Sequence, residues 1–449
     1  MKKIFQYIML AVVTIVMASC TSDIEEPTAT TGKSNVQLIV GEFPAFGDSQ
    51  TRAIGTPDEG KTSWAEGDEL LLEIDNTSYG KQYATFTYNG KSWELTSGEL
   101  VYLEGDPAYI SHVYYAPNYK WSNSSLMLKK GKVAGTDELI EGKARITGNG
   151  ETITVSFAEA TRKYSRLRIA TLPNEQITVD TEYFTPAGSS DMEQNGNYTL
   201  TSDEKGNAYL YGTFENNSEV TVKYREAALT TYTFSQATES AKSYALDATV
   251  ISANSAEEIK SAIEQKVADG KTTIRLNLAP NAGTNEFMAI REAIKGAAPN
   301  DLGTIELTII GVETIPKEAF YKMLQLKSVR MSDVKEIKKY AFKECQYLTV
   351  VEAPSLNKLN SGAFNKCNLL SKLTFGPINY ADERNWPIFE YITPNIDLIL
   401  SDYQKEMIET DSYLYTANND RDYAGSDEHN SKNFLGREFR SITCRYKVK

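Results

Sequence analysis

Histidine is scarce in this chain, and its scarcity limits the chemistry that the protein can perform. The 449 residues include two histidines, His112 and His429, which lie in segments predicted to belong to different domains. No Ser/His/Asp or Cys/His arrangement is therefore supported, and no pair of carboxylates is distinguished from ordinary solvated surface. The sequence predicts a protein that is not an enzyme and that has no cofactor and no metal site.

Cysteine is also too scarce to form a disulfide framework. Beyond Cys20 the chain contains Cys345, Cys367 and Cys444, an odd number for an exported protein. A large hydrophobic core must therefore hold the fold together.

Positive charge and long apolar runs are lacking as well. The formal net charge is −13, with 47 lysines and arginines against 60 acidic residues. This balance argues against nucleic acid as a partner. After residue 20 no apolar run is long enough to predict a membrane span, which needs about 20 residues.

The first 19 residues have the pattern of an export signal. Lys2 and Lys3 precede an apolar run from Ile4 to Ala18. A basic start, an apolar stretch and small residues before a cleavage site predict a signal peptide over residues 1–19.

Cys20 is predicted to carry a lipid. The segment Ala18-Ser19-Cys20 resembles the bacterial lipobox, although Met17 replaces the usual leucine. The alternative is an ordinary secretory peptide that is cleaved nearby. Residues 20–35 are polar and are interpreted as a flexible tether, so we expect a lipid-anchored protein at the cell surface, in the outer membrane.

Residues 36–249 have the pattern of an all-β domain. Short β-branched or alternating runs, such as Val36–Val40, Thr152–Phe157 and Val220–Tyr224, are separated by Gly, Asn, Asp and Pro. This pattern favours a β-sandwich. Asn89-Gly90 predicts a hairpin with a type I′ turn.

This region resembles the fimbrillin family, whose FimA-like and Mfa-like members are lipoprotein pilins and adhesins. The residues that carry the resemblance are Thr51-Arg52-Ala53, Trp64-Ala65-Glu66-Gly67-Asp68, Ser156-Phe157 and Ala241-Lys242-Ser243-Tyr244-Ala245-Leu246. The resemblance implies that Trp64 is a core anchor and that Asp68 is a turn residue. It also implies that Arg52 is a possible site of proteolytic processing, after which subunits could assemble by strand exchange. An ordinary loop arginine is the alternative.

The pattern changes after Ala248. Ser255 and Glu258 predict a capped helix that ends at Gly270, and a second helix is predicted from Thr284 to Gly296. Strands are predicted at 273–278 and 305–310. We therefore interpret residues 250–311 as the N-terminal cap of a repeat domain that covers 250–449.

A 22-residue period follows over residues 312–377. Ala-Phe recurs at Ala319-Phe320, Ala341-Phe342 and Ala363-Phe364, and a leucine recurs at 326, 348 and 370. The period predicts leucine-rich repeats, in which each unit is buried only against its neighbours. The Ala-Phe followed by cysteine resembles the BspA-like subclass of these repeats.

The repeats need a second cap, which we place at residues 378–449. It is predicted to contain strands at 395–400 and near 439–448, a helix at about 402–408 and a polar loop at 418–427. The predicted fold is thus mainly β, with a fimbrillin-like sandwich followed by a short α/β repeat solenoid with helical caps.

Cys345 and Cys367 occupy the same position in adjacent repeats. Adjacent rungs lie about 5 Å apart, so a disulfide could join the two residues. Met323 occupies the same position in the first repeat, which favours apolar core filling instead.

The repeats carry the opposite charge to the rest of the chain. Residues 312–377 contain 11 lysines or arginines and 6 acidic residues. Lys335, Lys338, Lys339 and Lys343 are candidate ligand-binding residues for an acidic glycan or an acidic host or bacterial surface protein. Solubilising charge is the alternative.

Two functions are consistent with this sequence. The first is an adhesin, or ligand-binding module, that uses its leucine-rich repeats at the cell surface. The second is an accessory, tip or anchor subunit of a fimbria-like assembly, for which self-assembly is required.

Overall fold

The computed structural model describes residues 37–44, 46, 61–76, 79–100, 108–147, 152–157, 162–253, 255–382, 387–401, 433–435 and 437–446. Within these ranges the chain is mainly β and contains two helices. The predictions for Cys20, the segments 1–19 and 20–35, Arg52, the helix at 402–408 and the loop at 418–427 lie outside the described residues.

The first part of the β region is a unit of ten strands. They are β1 Gln37–Val40, β2 Glu69–Asn76, β3 Gly80–Tyr88, β4 Trp93–Gly98, β5 Ala108–Tyr115, β6 Tyr119–Ser122, β7 Ser125–Leu128, β8 Ile140–Glu141, β9 Lys143–Thr147 and β10 Thr152–Ser156. A five-stranded sheet has the order β4-β3-β2-β5-β8, and a three-stranded sheet has the order β1-β10-β9. Buried residues of both sheets, among them Leu38, Leu72, Phe86 and Val155, belong to one core.

Trp64 packs against this first core, as the family resemblance implies. Its indole makes edge contacts with Phe43 and Tyr115, and its Nε1 donates to the Gly41 carbonyl at 2.8 Å. Asp68 is a turn residue, because its carboxylate accepts from the Ala65 amide at 2.7 Å. Both expectations are confirmed.

The hairpin at Asn89-Gly90 is present, but its turn is not type I′. Four residues separate β3 from β4, and Gly90 is left-handed (φ 87°) while Asn89 is not. The Asn89 side chain instead accepts from the Lys91 and Ser92 amides at 2.9 and 2.8 Å. This side-chain closure of the loop replaces the backbone turn that the dipeptide predicts.

A second β unit has its own core. Its strands are β11 Ser165–Ala170, β12 Gln176–Pro186, β13 Glu193–Thr201, β14 Asn207–Phe214, β15 Glu219–Tyr224, β16 Ala227–Thr233 and β17 Ser243–Asp247. They form one sheet of order β16-β15-β12-β14-β11-β17, with β13 beside β12. Leu167, Val179, Phe184, Phe214 and Val222 are buried in this core. The alternating pattern of residues 36–249 predicts one domain, whereas the described residues of this region form two cores.

Buried charges lie at the junction of the two β units. Arg162 Nη1 donates to Glu138 at 2.5 Å, and both side chains are almost fully buried. Phe46 lies against the guanidinium groups of Arg162 and Arg166, at 3.8 and 4.5 Å from its ring centroid. Burial raises the pKa of Glu138, while the neighbouring Arg162 opposes this shift.

The repeat domain begins with helices that connect parallel strands. Its first elements are β18 Ile251–Ala253, α1 Ala256–Ala268, β19 Thr273–Leu278, α2 Thr284–Ala297 and β20 Ile305–Ile310. Ser255 caps α1 by accepting from the Glu258 amide at 3.2 Å. Ile259, Ile263, Phe287 and Ile290 are buried on the helix faces that meet the sheet. Both predicted helices are confirmed.

All but two of the remaining strands join β18, β19 and β20 in two parallel stacks, and the two exceptions, Asn433–Phe434 and Arg437–Glu438, pair with each other in antiparallel fashion. The remaining strands are β21 Thr314–Ile315, β22 Leu326–Met331, β23 Glu336–Ile337, β24 Val350–Ala353, β25 Lys358–Leu359, β26 Lys372–Phe375, β27 Tyr380–Ala381, β28 Asp397–Ser401, β29 Asn433–Phe434, β30 Arg437–Glu438 and β31 Ser441–Tyr446. The long stack has the order β18-β19-β20-β22-β24-β26-β28-β31, and the short stack has the order β21-β23-β25-β27. The rungs that begin with β20, β22, β24 and β26 each contribute one strand to each stack.

Phenylalanines form a ladder between the two stacks. Phe320 and Phe342 stack at a centroid distance of 5.1 Å, Phe342 and Phe364 at 5.4 Å, and Phe364 and Phe389 at 5.6 Å. All four are fully buried. The phenylalanines of the Ala-Phe repeat therefore form a continuous column of stacked rings in the core of the repeats.

The second β unit is attached to the first rungs of the repeats. Ile310 of β20 is buried in the core of the second β unit. Arg275 of β19 is 6% exposed, and its Nε donates to the Leu229 carbonyl at 2.6 Å. These contacts fix the second β unit against the long stack.

We expect Phe342→Ala to destabilise the repeat domain by about 3–5 kcal/mol, because it opens a cavity in the middle of the ladder. The loss can be measured by urea unfolding followed by pulsed labelling of Cys345 and Cys367, which are fully buried. Leu369→Ala is the control, since Leu369 is 52% exposed. Equal destabilisation by the two substitutions would contradict the ladder as the main core column.

Candidate ligand-binding surface on the repeats

In each rung that contributes to the short stack, a turn segment follows the short-stack strand. The turn segments of successive rungs are hydrogen-bonded to one another. The Phe320 amide donates to the Ala341 carbonyl at 2.8 Å, and the Lys322 amide donates to the Lys343 carbonyl at 2.9 Å. This register aligns residues 22 positions apart in rows on the outer surface of the repeats. Tyr321 therefore lies beside Lys343.

Two tyrosines and three lysines form what we call the arc cluster: Tyr321, Lys322, Lys339, Tyr340 and Lys343. The Nζ of Lys343 lies 4.7 Å from the Tyr340 ring centroid and 5.9 Å from that of Tyr321. Lys339 Nζ lies 4.8 Å from the Tyr340 centroid, and Lys322 Nζ lies 5.3 Å from the Tyr321 centroid. The half-buried rings thus position ammonium groups at the surface by cation–π contacts.

The positive charge of the arc cluster is partly neutralised by one carboxylate. Glu344 lies 3.6 Å from both Lys322 and Lys366, which occupy the same position in the flanking rungs. The pKa of Lys322 is raised, first by its hydrogen bond to Tyr321 and then by the charges nearby. In the part of the chain that the structure describes, Lys338 and Lys339 have no carboxylate within 4 Å. They supply uncompensated charge.

The structure does not bring the four predicted lysines into one patch. Lys339 and Lys343 lie together on the ring of Tyr340, and Lys338 is exposed at the start of the same turn segment. Lys335 instead precedes β23 and forms an ion pair with Glu313 at 2.5 Å. Strand β23 separates Lys335 from the turn segment that contains Lys339 and Lys343, so sequence proximity does not place Lys335 in the arc cluster.

The repeat cysteines are core residues. Cys345 and Cys367 are fully buried and free, and their thiols donate to the Phe320 and Phe342 carbonyls at 2.9 and 3.0 Å. Burial raises the pKa of Cys345 to about 12, so its reactive thiolate is suppressed. Met323 fills the equivalent buried position. The prediction that Cys345 and Cys367 fill the core, and are not joined by a disulfide, is therefore confirmed.

No group of three or more His, Cys, Asp or Glu side chains in the described ranges is arranged to hold a metal ion. No described helix has the length and apolarity needed to cross a membrane. His112 stacks on Tyr114 and lies 3.7 Å from Glu141, while His429 lies outside the described residues.

Sequence reasoning missed the aromatic half of the arc cluster. Tyr321 and Lys343 are 22 residues apart, so aligning the repeats could have revealed that they are neighbours. Tyr340 was harder to recognise, because Glu318 and Gly362 occupy its position in the adjacent rungs. The backbone at Tyr340 is left-handed (φ 60°), as it is at Glu318 and Gly362.

Comparison with known proteins identifies the repeats. The sequence family described as the BspA type leucine rich repeat region matches residues 303–407, in six copies. The match extends beyond the three units predicted at 312–377 on both sides. No curated protein matches the chain. Residues 303–407 thus contain leucine-rich repeats of the BspA type.

Proposed function

We propose that this chain is a cell-surface lipoprotein that acts as an adhesin, with its leucine-rich repeats as the ligand-binding module. Repeats of the BspA type are often surface adhesion or protein-binding modules. The observation that carries the proposal is the arc cluster, in which lysines are held on tyrosine rings at the surface of an otherwise acidic protein. Its partner is an acidic glycan or an acidic surface protein of a host or of another bacterium.

The remaining parts of the chain support presentation of the repeats. A signal peptide at 1–19, a lipid on Cys20 and a tether at 20–35 would anchor the protein in the outer membrane. A fimbrillin-like sandwich region at 36–249 would then project the repeats from the surface. The two β units and their separate cores are compatible with such a spacer.

Electrostatics favours an acidic partner for the arc cluster. Among the described residues, Lys339 of the arc cluster and the adjacent Lys338 have no ion-pair partner, so an anion can bind these two lysines without breaking an existing pair. The tyrosine rings add flat apolar surface on which a sugar or a side chain can stack. Association at such a surface should weaken as salt increases.

We expect the double substitution Lys339→Gln and Lys343→Gln to weaken binding of the mature protein to mucin-coated sensors about tenfold, because two cation–π-held charges are lost. The salt dependence of binding should also decrease. Biolayer interferometry at several salt concentrations measures both quantities.

A matched control removes the same charge elsewhere on the repeats. Lys327→Gln with Lys372→Gln alters lysines of the long stack that are paired with Glu306 and Glu352. This variant should bind like the unaltered protein. Equal loss in the two variants would show that net charge alone matters, and no loss in either would remove the arc cluster from binding.

A second candidate function is a subunit of a fimbria-like assembly. Its support is the segment 37–44, which precedes Arg52 and belongs to the first β unit. Strand β1 pairs in parallel with β10, and Phe43 contacts Trp64 and Tyr115. Cleavage at Arg52 would release this segment and open a groove for a strand from another subunit.

The end of the described chain argues against a free donor strand. Strand β31 pairs in parallel with β28 in the long stack of the repeats. A donor strand taken from this region would disrupt the repeat domain. The adhesin is therefore the better supported function.

We expect the mature protein to remain monomeric after treatment with an Arg-specific protease, as measured by size-exclusion chromatography with light scattering. The reason is that its last described strand is already paired within the same chain. Oligomers that form after treatment, and that fail to form with Arg52→Gln, would instead establish the assembly function.

A further inference from the structure

A polar trough lies where the second β unit meets the repeats. It has a volume of about 660 Å³ and is lined by the loops that follow four consecutive strands of the long stack, β19, β20, β22 and β24. Three strand spacings of about 4.8 Å make it roughly 14 Å long. The carboxyl ends of parallel strands are a common place for ligand sites.

At the floor of the trough, the backbone at Gly311 lies close to the backbone at Leu278. Gly311 is left-handed (φ 88°), and a Cβ at this position would lie 2.2 Å from the Leu278 carbonyl oxygen. The Gly311 amide donates to one oxygen of Asp333 at 2.8 Å. The other carboxylate oxygen of Asp333 keeps its capacity to accept hydrogen bonds at the trough.

The opposite wall is the tip of the β15–β16 hairpin. Tyr224 pairs with Ala227, so Arg225 and Glu226 form a two-residue turn, and both are left-handed (φ 48° and 67°). Asn and Gly are the residues that such turns favour. Non-glycine residues in this conformation cost energy and often mark functional positions.

Arg225 is an available cation at this tip. It is exposed, and its guanidinium lies 4.9 Å from the Tyr224 ring centroid. Within the described ranges no carboxylate lies within 4 Å of it. The contacts of Arg275 and Ile310 fix the second β unit, and therefore Arg225, relative to the rim of the repeats.

We propose that the trough binds a short carboxylated oligosaccharide. Arg225 receives the sugar carboxylate, because a guanidinium binds this group through two parallel hydrogen bonds. Asp333 and Glu313 accept hydrogen bonds from sugar hydroxyls. Lys335, which is paired with Glu313 and is half exposed, retains donors for further sugar oxygens.

The lining distinguishes a sugar from a peptide ligand. Among the described residues of the lining, Pro280 and Ala282 are the apolar side chains, and none is aromatic or large and aliphatic. Peptide and protein ligands gain most of their affinity from such apolar anchors. The mixture of carboxylates, hydroxyls and cations fits the many hydroxyls of a sugar and its one charged group.

The trough site is independent of the arc cluster. Lys335 and Asp333 precede β23, whereas Lys339 and Lys343 follow it. The trough proposal can therefore fail while the adhesin proposal holds, and the reverse is also true.

The test uses the mature full-length chain and isothermal titration calorimetry with α-1,4-linked trigalacturonic acid. Maltotriose is the neutral probe. We expect saturable binding of the acidic trisaccharide and at least about tenfold weaker binding of maltotriose, because the charged hydrogen bonds to Arg225 are lost.

Arg225→Gly separates binding from folding. Glycine adopts the left-handed turn without strain, so the melting temperature should be unchanged or higher, while binding of trigalacturonic acid falls at least about tenfold. Lys339→Gln with Lys343→Gln should leave this binding unchanged.

Three results would overturn the trough site. They are no binding of trigalacturonic acid at millimolar concentration, equal binding of maltotriose, and undiminished binding by Arg225→Gly. Binding that is lost in the Lys339/Lys343 variant but kept by Arg225→Gly would assign the sugar to the arc cluster and leave the adhesin proposal intact.

Discussion

The stacking of one rung on the next is the constraint on which the rest of the structure depends. A single rung cannot bury Phe320, Phe342 or Phe364 by itself, so each ring is covered by the ring above and the ring below. The 22-residue spacing keeps these rings in register, and hydrogen bonds between adjacent turn segments maintain it. Strands β18 and β19 have no counterpart in the short stack. The helices α1 and α2 cover the core at these first rungs instead.

The same register determines which side chains are neighbours on the surface of the repeats. Because the rungs are locked, Tyr321 and Lys343 must be neighbours, and Glu344 must lie between Lys322 and Lys366. The second β unit contacts β19 and β20, and its β15–β16 hairpin forms one wall of the trough beside the repeats. The arc cluster and the trough are thus two consequences of one stacked scaffold, on different sides of the rung.

The sequence predicted features that repeat and missed features that depend on contacts between distant segments. The Ala-Phe period located the core column, and the capped helices were predicted because their signals are local. The two cores of the β region were not separated, since similar alternating strands line both. Asn89-Gly90 suggested a type I′ turn, whereas two left-handed residues in a two-residue turn occur at Arg225-Glu226. No propensity marks that dipeptide, and its neighbours across the trough lie between 55 (Pro280) and 130 (Ser355) residues further along the chain.

In our proposal the surface partner binds to the arc cluster on the repeats and not to the first β unit. Hydrogen–deuterium exchange of the mature chain with and without purified mucin glycopeptide tests this claim most directly. We expect added protection in peptides that cover residues 312–382 and no change in those that cover 61–147. Protection confined to the first β unit would contradict it.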